Sequence, residues 1–189
     1  MDRRERYEIR MAGFGGQGLL FAGRVLGIAL AVHARENVVQ TQSYGPESRG
    51  GASRSEIIVG GEEEIDYIKL ENPDMLVLMS QEACDKFFHN LKPGGYIILD
   101  PGTVKIHPDP PPGSRLMAIS ASRMAHDMGI PMSANMIMLG AVVGLSGVVE
   151  VNHVIQAIRD ISSGAVAKAN EKAFYLGMEE AAGQKGGAR

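Results

Sequence analysis

The sequence predicts a single α/β domain with a mostly parallel sheet, an inserted β-hairpin and a helical C-terminal half. Three observations carry that expectation. An alternating run at 7–12, Y-E-I-R-M-A, leads straight into the glycine-rich turn A-G-F-G-G-Q-G at 12–18, and an apolar helix follows at once. Two apolar runs, M-L-V-L-M-S at 75–80 and Y-I-I-L-D at 96–100, have the composition of strands buried on both faces of a sheet. Beyond residue 120 the apolar residues recur with helical spacing.

A chain of 189 residues is long enough to bury one sizeable core without disulfides or metal staples. The last residues, 184–189, are expected to form a disordered tail behind a domain spanning 1–183. Formal charge is −3, with 19 Lys and Arg against 22 Asp and Glu, so no basic field is available to hold a nucleic-acid backbone. The single cysteine, Cys84, excludes an internal disulfide and a cysteine-ligated cluster built from this chain alone, and it points to a reducing, cytoplasmic setting. The stretch at 132–149 approaches the length of a membrane span. Asn135, two serines and three glycines within it favour a buried helix of a water-soluble fold instead, and no membrane partner is expected.

Each element then follows in order. The strand, glycine turn and helix at the N-terminus are followed by a second strand at 37–42, N-V-V-Q-T-Q, which completes a β-α-β unit. Residues 42–54 read as a loop. S-E-I-I-V-G-G (55–61) and E-I-D-Y-I (64–68) read as two short strands paired as a hairpin. After the central strand at 75–80 a helix is expected over 81–91, and P-G-G at 93–95 turns the chain into the strand at 96–100. H-P-D-P-P-P-G at 107–113 must cross in an extended form, because consecutive prolines exclude helix and inner strand. A short strand at 116–120 and helices at about 120–128, 133–146, 151–160 and 165–182 complete the fold.

Two stretches could carry chemistry. The spacing of Gly13, Gly15 and Gly18 matches the fingerprint of Rossmann-like dinucleotide sites, where glycines allow a tight turn and close approach of a phosphate. The acidic residue that should end the second strand and hold a ribose is missing, since the chain there reads Gln40-Thr41-Gln42-Ser43. With the fingerprint half present, the turn serves a nicotinamide dinucleotide, which the missing acid disfavours, another anionic ligand, or packing alone. The second stretch, 42–54, combines Tyr44, Glu47, Arg49 and Arg54 with Gly45, Gly50 and Gly51, and can line the same crevice or be a solvated surface loop. The candidate ligand-binding residues are Gly13, Gly15, Gly16, Gln17, Gly18, Tyr44, Glu47, Arg49, Gly50, Gly51 and Arg54. No catalytic residue and no metal site is expected. The five histidines lack ligand spacing, Cys84 reads as a structural thiol, and Ser80 reads as a helix cap.

G-F-G-G-Q-G at 13–18, Q-S-Y-G-P-E-S-R-G-G-A-S-R-S-E at 42–56 and P-D-M-L-V-L-M-S-Q-E-A at 73–83 resemble the gamma subunit of 2-oxoacid:ferredoxin oxidoreductases. L-K-P-G-G-Y-I-I-L-D at 91–100 and N-M-I-M-L-G-A at 135–141 continue the similarity in the family's order. The form of the 42–54 run is most similar to the 2-oxoglutarate type. This resemblance implies a pyruvate/ketoisovalerate oxidoreductase gamma-type domain, inactive alone, in an enzyme that uses thiamine diphosphate, Mg2+, iron-sulfur clusters and coenzyme A in partner subunits, with coenzyme A also the ligand that this chain's own crevice touches. It also implies the partners: thiamine-binding alpha and beta subunits, a ferredoxin-like delta subunit, and ferredoxin as electron acceptor. The alternative is a stand-alone Rossmann-type nucleotide-binding protein or an NAD(P)-dependent dehydrogenase.

Overall fold

The computed structural model describes residues 6–44, 52–60 and 65–187. Its order is β1 (Arg6–Phe14), α1 (Leu19–Ile28), a π-helical turn (Ala29–His33), β2 (Val38–Tyr44), β3 (Ala52–Gly60), β4 (Met75–Leu78), α2 (Gln81–Phe87), β5 (Tyr96–Leu99) and β6 (Arg115–Ala118). Then come α3 (Ala121–Asp127), a short 3-10 turn (Pro131–Ser133), α4 (Ala134–Ser146), α5 (Val151–Ile161) and α6 (Gly164–Gly187). The six strands form one sheet in the order β2-β3-β1-β4-β5-β6. The pairings β1-β4, β4-β5 and β5-β6 are parallel, whereas β1-β3 and β3-β2 are antiparallel.

Alternation along β1 decides the two faces. Tyr7, Ile9 and Met11 join the larger core with Leu19, Val25 and Leu26 of α1 and the apolar faces of α4 and α5. Ala12, with Leu76 and Leu78 of β4, joins a smaller core against Ala83, Cys84 and Phe87 of α2. Helices thus cover both sides of the parallel half of the sheet, which is why its strands are apolar throughout. The apolar segment at 132–149 is α4, buried along nearly its whole length. Gly140 and Gly177 let α4 and α6 meet backbone to backbone: a Cβ on Gly140 would fall on the Phe174 carbonyl, and one on Gly177 on the Ile137 carbonyl. Among the described residues no helix is long and apolar enough to cross a membrane.

Three expectations change. The hairpin is formed by β2 and β3, so the segment between them, 45–51, is its connection, and the described part of 64–68 forms no strand. That segment instead lies on the face of the sheet that carries the Arg6 and Arg10 side chains of β1; the Tyr67 carbonyl accepts from Arg6 (2.9 Å), and just beyond it the Leu70 carbonyl accepts from Arg10 (2.6 Å). The unit β1-α1-β2 is split as well, because β3 inserts between its two strands. Finally, α6 continues through Gly187, and Gln184 Nε2 donates to the Ala118 carbonyl (2.8 Å), so residues 184–187 extend the helix where a tail was expected. Residues 188–189 lie outside those described.

Candidate functional site

Chain direction changes face at one place in the sheet. After β1 the chain enters α1 on the side of the larger core, and after the neighbouring parallel strand β4 it enters α2 on the opposite side. Ligands of open α/β sheets bind in the crevice that such a reversal opens beyond the carboxyl ends of the strands. The glycine turn lies at this point.

Gln17 occupies it. The Phe14 amide donates to Gln17 Oε1 (2.6 Å), and Gln17 Nε2 donates to the Met79 carbonyl just past β4 (2.6 Å), so one side chain bridges the two strand ends. A Cβ at position 13 would fall on Gln17 Oε1, which makes glycine a requirement of the bridge. Gly18 adopts a left-handed conformation (φ 75°) at the start of α1, and a Cβ there would come within 2.5 Å of Asn135 Nδ2. That amide donates to the Gly18 carbonyl (2.8 Å), while Asn135 Oδ1 accepts from the Met136 amide (2.9 Å). Two of the glycines therefore admit amide side chains of the chain itself. Gly15 and Gly16 are exposed, and space is open beside Gly16 (φ 98°).

Beside the turn lies an apolar pocket of about 450 Å3, bordered by Gly18 and Phe21 of α1, Met132 of the 3-10 turn, Asn135 of α4, and Val166 and Asn170 of α6. Asn135 thus belongs both to the turn and to the pocket floor. It is absent from the residues expected above, although a lone asparagine opening an otherwise apolar helix is a visible signal that a buried polar group has a fixed partner.

Arg54 stands at the same end of the sheet, opposite Ala12 in the β3-β1 register. Its guanidinium lies 5.9 Å from the centre of the Phe87 ring, its Nε is 3.8 Å from Glu56 Oε2, and that Nε has no hydrogen-bond acceptor among the described residues. Glu56 is committed elsewhere. It accepts from buried Arg10 Nε (2.7 Å) and from Thr41 Oγ1 (3.3 Å). Tyr44 ends β2, whereas Glu47, Arg49, Gly50 and Gly51 lie outside the described residues. The structure thus brings Gly13, Gln17 and Gly18 together with Met79 and Asn135, with Arg54 on a neighbouring strand.

The remaining candidates behave as structural groups. Ser80 Oγ accepts from the Ala83 amide (3.1 Å) and caps α2. Cys84 is buried, and burial pushes its thiol up to about 11, with the charge of Asp85 adding to the effect, so it stays protonated and unreactive at neutral pH. His33 pairs with Asp160 (2.7 Å) and stacks on His153. Among the described residues no group of three His, Cys, Asp or Glu side chains is placed to hold a metal ion.

Residues 8–180 match the model of the family described as pyruvate ferredoxin/flavodoxin oxidoreductase. The chain belongs to this family. It is 41% identical over 177 residues to a 2-oxoglutarate synthase subunit KorC of Methanocaldococcus jannaschii, covering 93% of this chain and 94% of that one. With the corresponding subunit of Methanothermobacter marburgensis identity is 44% over 180 residues, covering 92% and 96%. Among solved structures it superimposes on the gamma subunit of a keto/oxoacid ferredoxin oxidoreductase from Geobacter sulfurreducens with a TM-score of 0.81 at 38% identity, over 94% of this chain and 99% of that one. It also superimposes on a 2-oxoglutarate:ferredoxin oxidoreductase of Magnetococcus marinus, with 2-oxoglutarate, coenzyme A and succinyl-CoA bound, with a TM-score of 0.85 at 25% identity. The match covers 95% of this chain and 32% of that longer one. The expected role as the gamma subunit of a 2-oxoacid:ferredoxin oxidoreductase agrees with these relatives, and the chain is one component of a multi-subunit enzyme.

Proposed function

We propose that this chain is the gamma subunit of an enzyme that oxidatively decarboxylates 2-oxoglutarate to its coenzyme A thioester and passes the electrons to ferredoxin. The observation that carries the substrate is the near full-length identity with 2-oxoglutarate synthase subunits. Thiamine diphosphate supplies carbanion stabilisation in such chemistry, and iron-sulfur clusters relay the electrons. The residues of this chain do not fit a cluster, because Cys84 is the only thiol and is buried, and among the described residues no group of three His, Cys, Asp or Glu is placed to hold the Mg2+ that accompanies thiamine diphosphate. Those groups belong to thiamine-binding alpha and beta subunits, with Mg2+, and to a ferredoxin-like delta subunit.

What this chain adds is a surface for coenzyme A. Gln17 fills the floor of the crevice, which leaves the exposed backbone of Gly15 and Gly16 at the start of α1 as the part open to a phosphate. Arg54 stands beside this surface, and Tyr44, Glu47, Arg49, Gly50 and Gly51 of the 42–54 stretch complete the proposed set of ligand-binding residues. The NAD(P) alternative is disfavoured because no acidic residue ends β2 to hold a nicotinamide-side or adenine-side ribose.

A charged hydrogen bond contributes about 1.5–3 kcal/mol, so Arg49→Ala raises the KM for coenzyme A by about tenfold or more and leaves the KM for 2-oxoglutarate unchanged. Steady-state kinetics of the assembled enzyme measure both. An unchanged KM for coenzyme A removes Arg49 from the site. A panel of 2-oxoacids in the same assay tests the substrate, and preference for pyruvate or a branched 2-oxoacid would overturn the 2-oxoglutarate assignment.

A further inference from the structure

β2 is the outermost strand of the sheet. The Gly60 amide donates to the Asn37 carbonyl (2.8 Å), and this bond sets the phase of the β2-β3 ladder. Residues 39, 41 and 43 turn their amides and carbonyls toward β3, while 38, 40, 42 and 44 turn theirs outward, where no strand of the described chain receives them.

Sheet proteins protect such edges with charges, prolines, bulges or very short strands. β2 has none of these. It is seven residues long, reads V-V-Q-T-Q-S-Y, and pairs one to one with β3 from Val38 to Tyr44 without a bulge. An unprotected edge of this length is the geometry by which one chain adds a strand to another.

We propose that β2 pairs antiparallel with β2 of a second copy of this chain, about a two-fold axis at Thr41, joining two six-stranded sheets into one. The strand's own sequence argues for a second copy. Centring the axis on Thr41 is the one two-fold register that uses all seven residues, and it brings the outward groups of 38, 40, 42 and 44 opposite those of 44, 42, 40 and 38. Thr41 then faces Thr41, Gln40 faces Gln42, Val39 faces Ser43 and Val38 faces Tyr44. The β-branched and amide pairings among these are of the kind that stabilise neighbouring strands, and no like charges meet because the strand has no charge. Gln40 and Thr41 already lie down on their own sheet, donating to Ser55 Oγ (3.1 Å) and Glu56 Oε2 (3.3 Å), and so leave the edge clear.

Two variants of the full chain test this. Thr41 lies in a pair whose Cα atoms are about 4.5 Å apart, within disulfide range, so Thr41→Cys cross-links two copies under mild oxidation. Ser43→Cys points to the same side but stands on the order of 14 Å from its own copy and does not cross-link. Gln42→Pro removes an outward amide and keeps the β2-β3 bonds, because residue 42 does not bond β3. It weakens the dimer at least about tenfold in sedimentation equilibrium, with little change in the melting temperature. A chain monomeric at about 100 µM, a dimer that Gln42→Pro leaves intact, or equal cross-linking by both cysteine variants overturns the proposal. Loss of the Thr41→Cys cross-link when the other subunits are added also overturns it, because that edge is then taken by another protein.

Discussion

Gln17 occupies the variable position of the glycine motif, yet its amide determines what the motif can do. Both ends of that amide are used, one accepting from the Phe14 amide and the other donating to the Met79 carbonyl. Gln17→Ala therefore destabilises the chain by about 1–3 kcal/mol, and Gln17→Glu by a similar amount, since a carboxylate still accepts from Phe14 but cannot donate to Met79. Urea denaturation measures both, and a Glu variant as stable as wild type would show that the bond to Met79 contributes nothing. Cys84 supplies a second test at this scale. Its folded pKa, about 11, lies above that of an unfolded thiol, about 8.5, so the unfolded chain holds fewer protons between those values. The contribution of Cys84 to stability is fully present below about pH 8.5 and is lost as the pH rises toward 11. At pH 8 a thiol reagent labels the native chain far more slowly than the urea-unfolded chain. Equal rates would contradict the burial.

At the scale of elements, strand β3 shows where sequence patterns mislead. Its first half reads A-S-R-S-E, which has the composition of a loop, and the expected loop accordingly runs to residue 54. The alternation is present, but it is small against charged, not apolar against polar. Ser53 and Ser55 face the side of α1, where Gly23 lies so close that a Cβ on it would fall on Ser55 Oγ, so nothing larger fits. Arg54 and Glu56 face the other side, where Arg10 is buried against Glu56 and Phe87. A pattern that depends on close helix contact and on a distant ion partner cannot be read from its own window. The helices are legible for the opposite reason: 133–146 and 151–160 match α4 and α5 within a residue or so, because their apolar spacing is local information. The contact between α4 and α6 makes a clear prediction. Gly177→Ala forces a methyl onto the Ile137 carbonyl and separates two helices, so it costs about 1–3 kcal/mol or more, although alanine alone favours helix by about 1 kcal/mol. Thermal melts decide the sign, and a stabilised variant would contradict the close approach.

For the whole molecule, the sheet and the glycine turn were legible because each rests on short-range signals: a strand before glycines, apolar runs, and a capped helix after Ser80. The insertion of β3 between β1 and β2 was not, since strand order depends on which edges meet in space. Of the candidate site, Gly13, Gln17 and Gly18 were found by spacing, whereas Asn135 was missed because its partner, the Gly18 carbonyl, is 117 residues away in the chain. The resulting molecule has a crevice filled by its own amide, no clustered metal ligands among its described residues and a protonated buried thiol. It is one component of a multi-subunit oxidoreductase, and under the proposed function the redox groups lie in its partner chains. The most direct measurement is reconstitution: 2-oxoglutarate-dependent, coenzyme A-dependent reduction of ferredoxin by the partner subunits, with and without this chain. Activity that requires both the partners and this chain, with none from the colourless chain alone, is the predicted result. Reduction of the acceptor by this chain alone, full activity of the partners without it, or tight NADH binding by the isolated chain would contradict it.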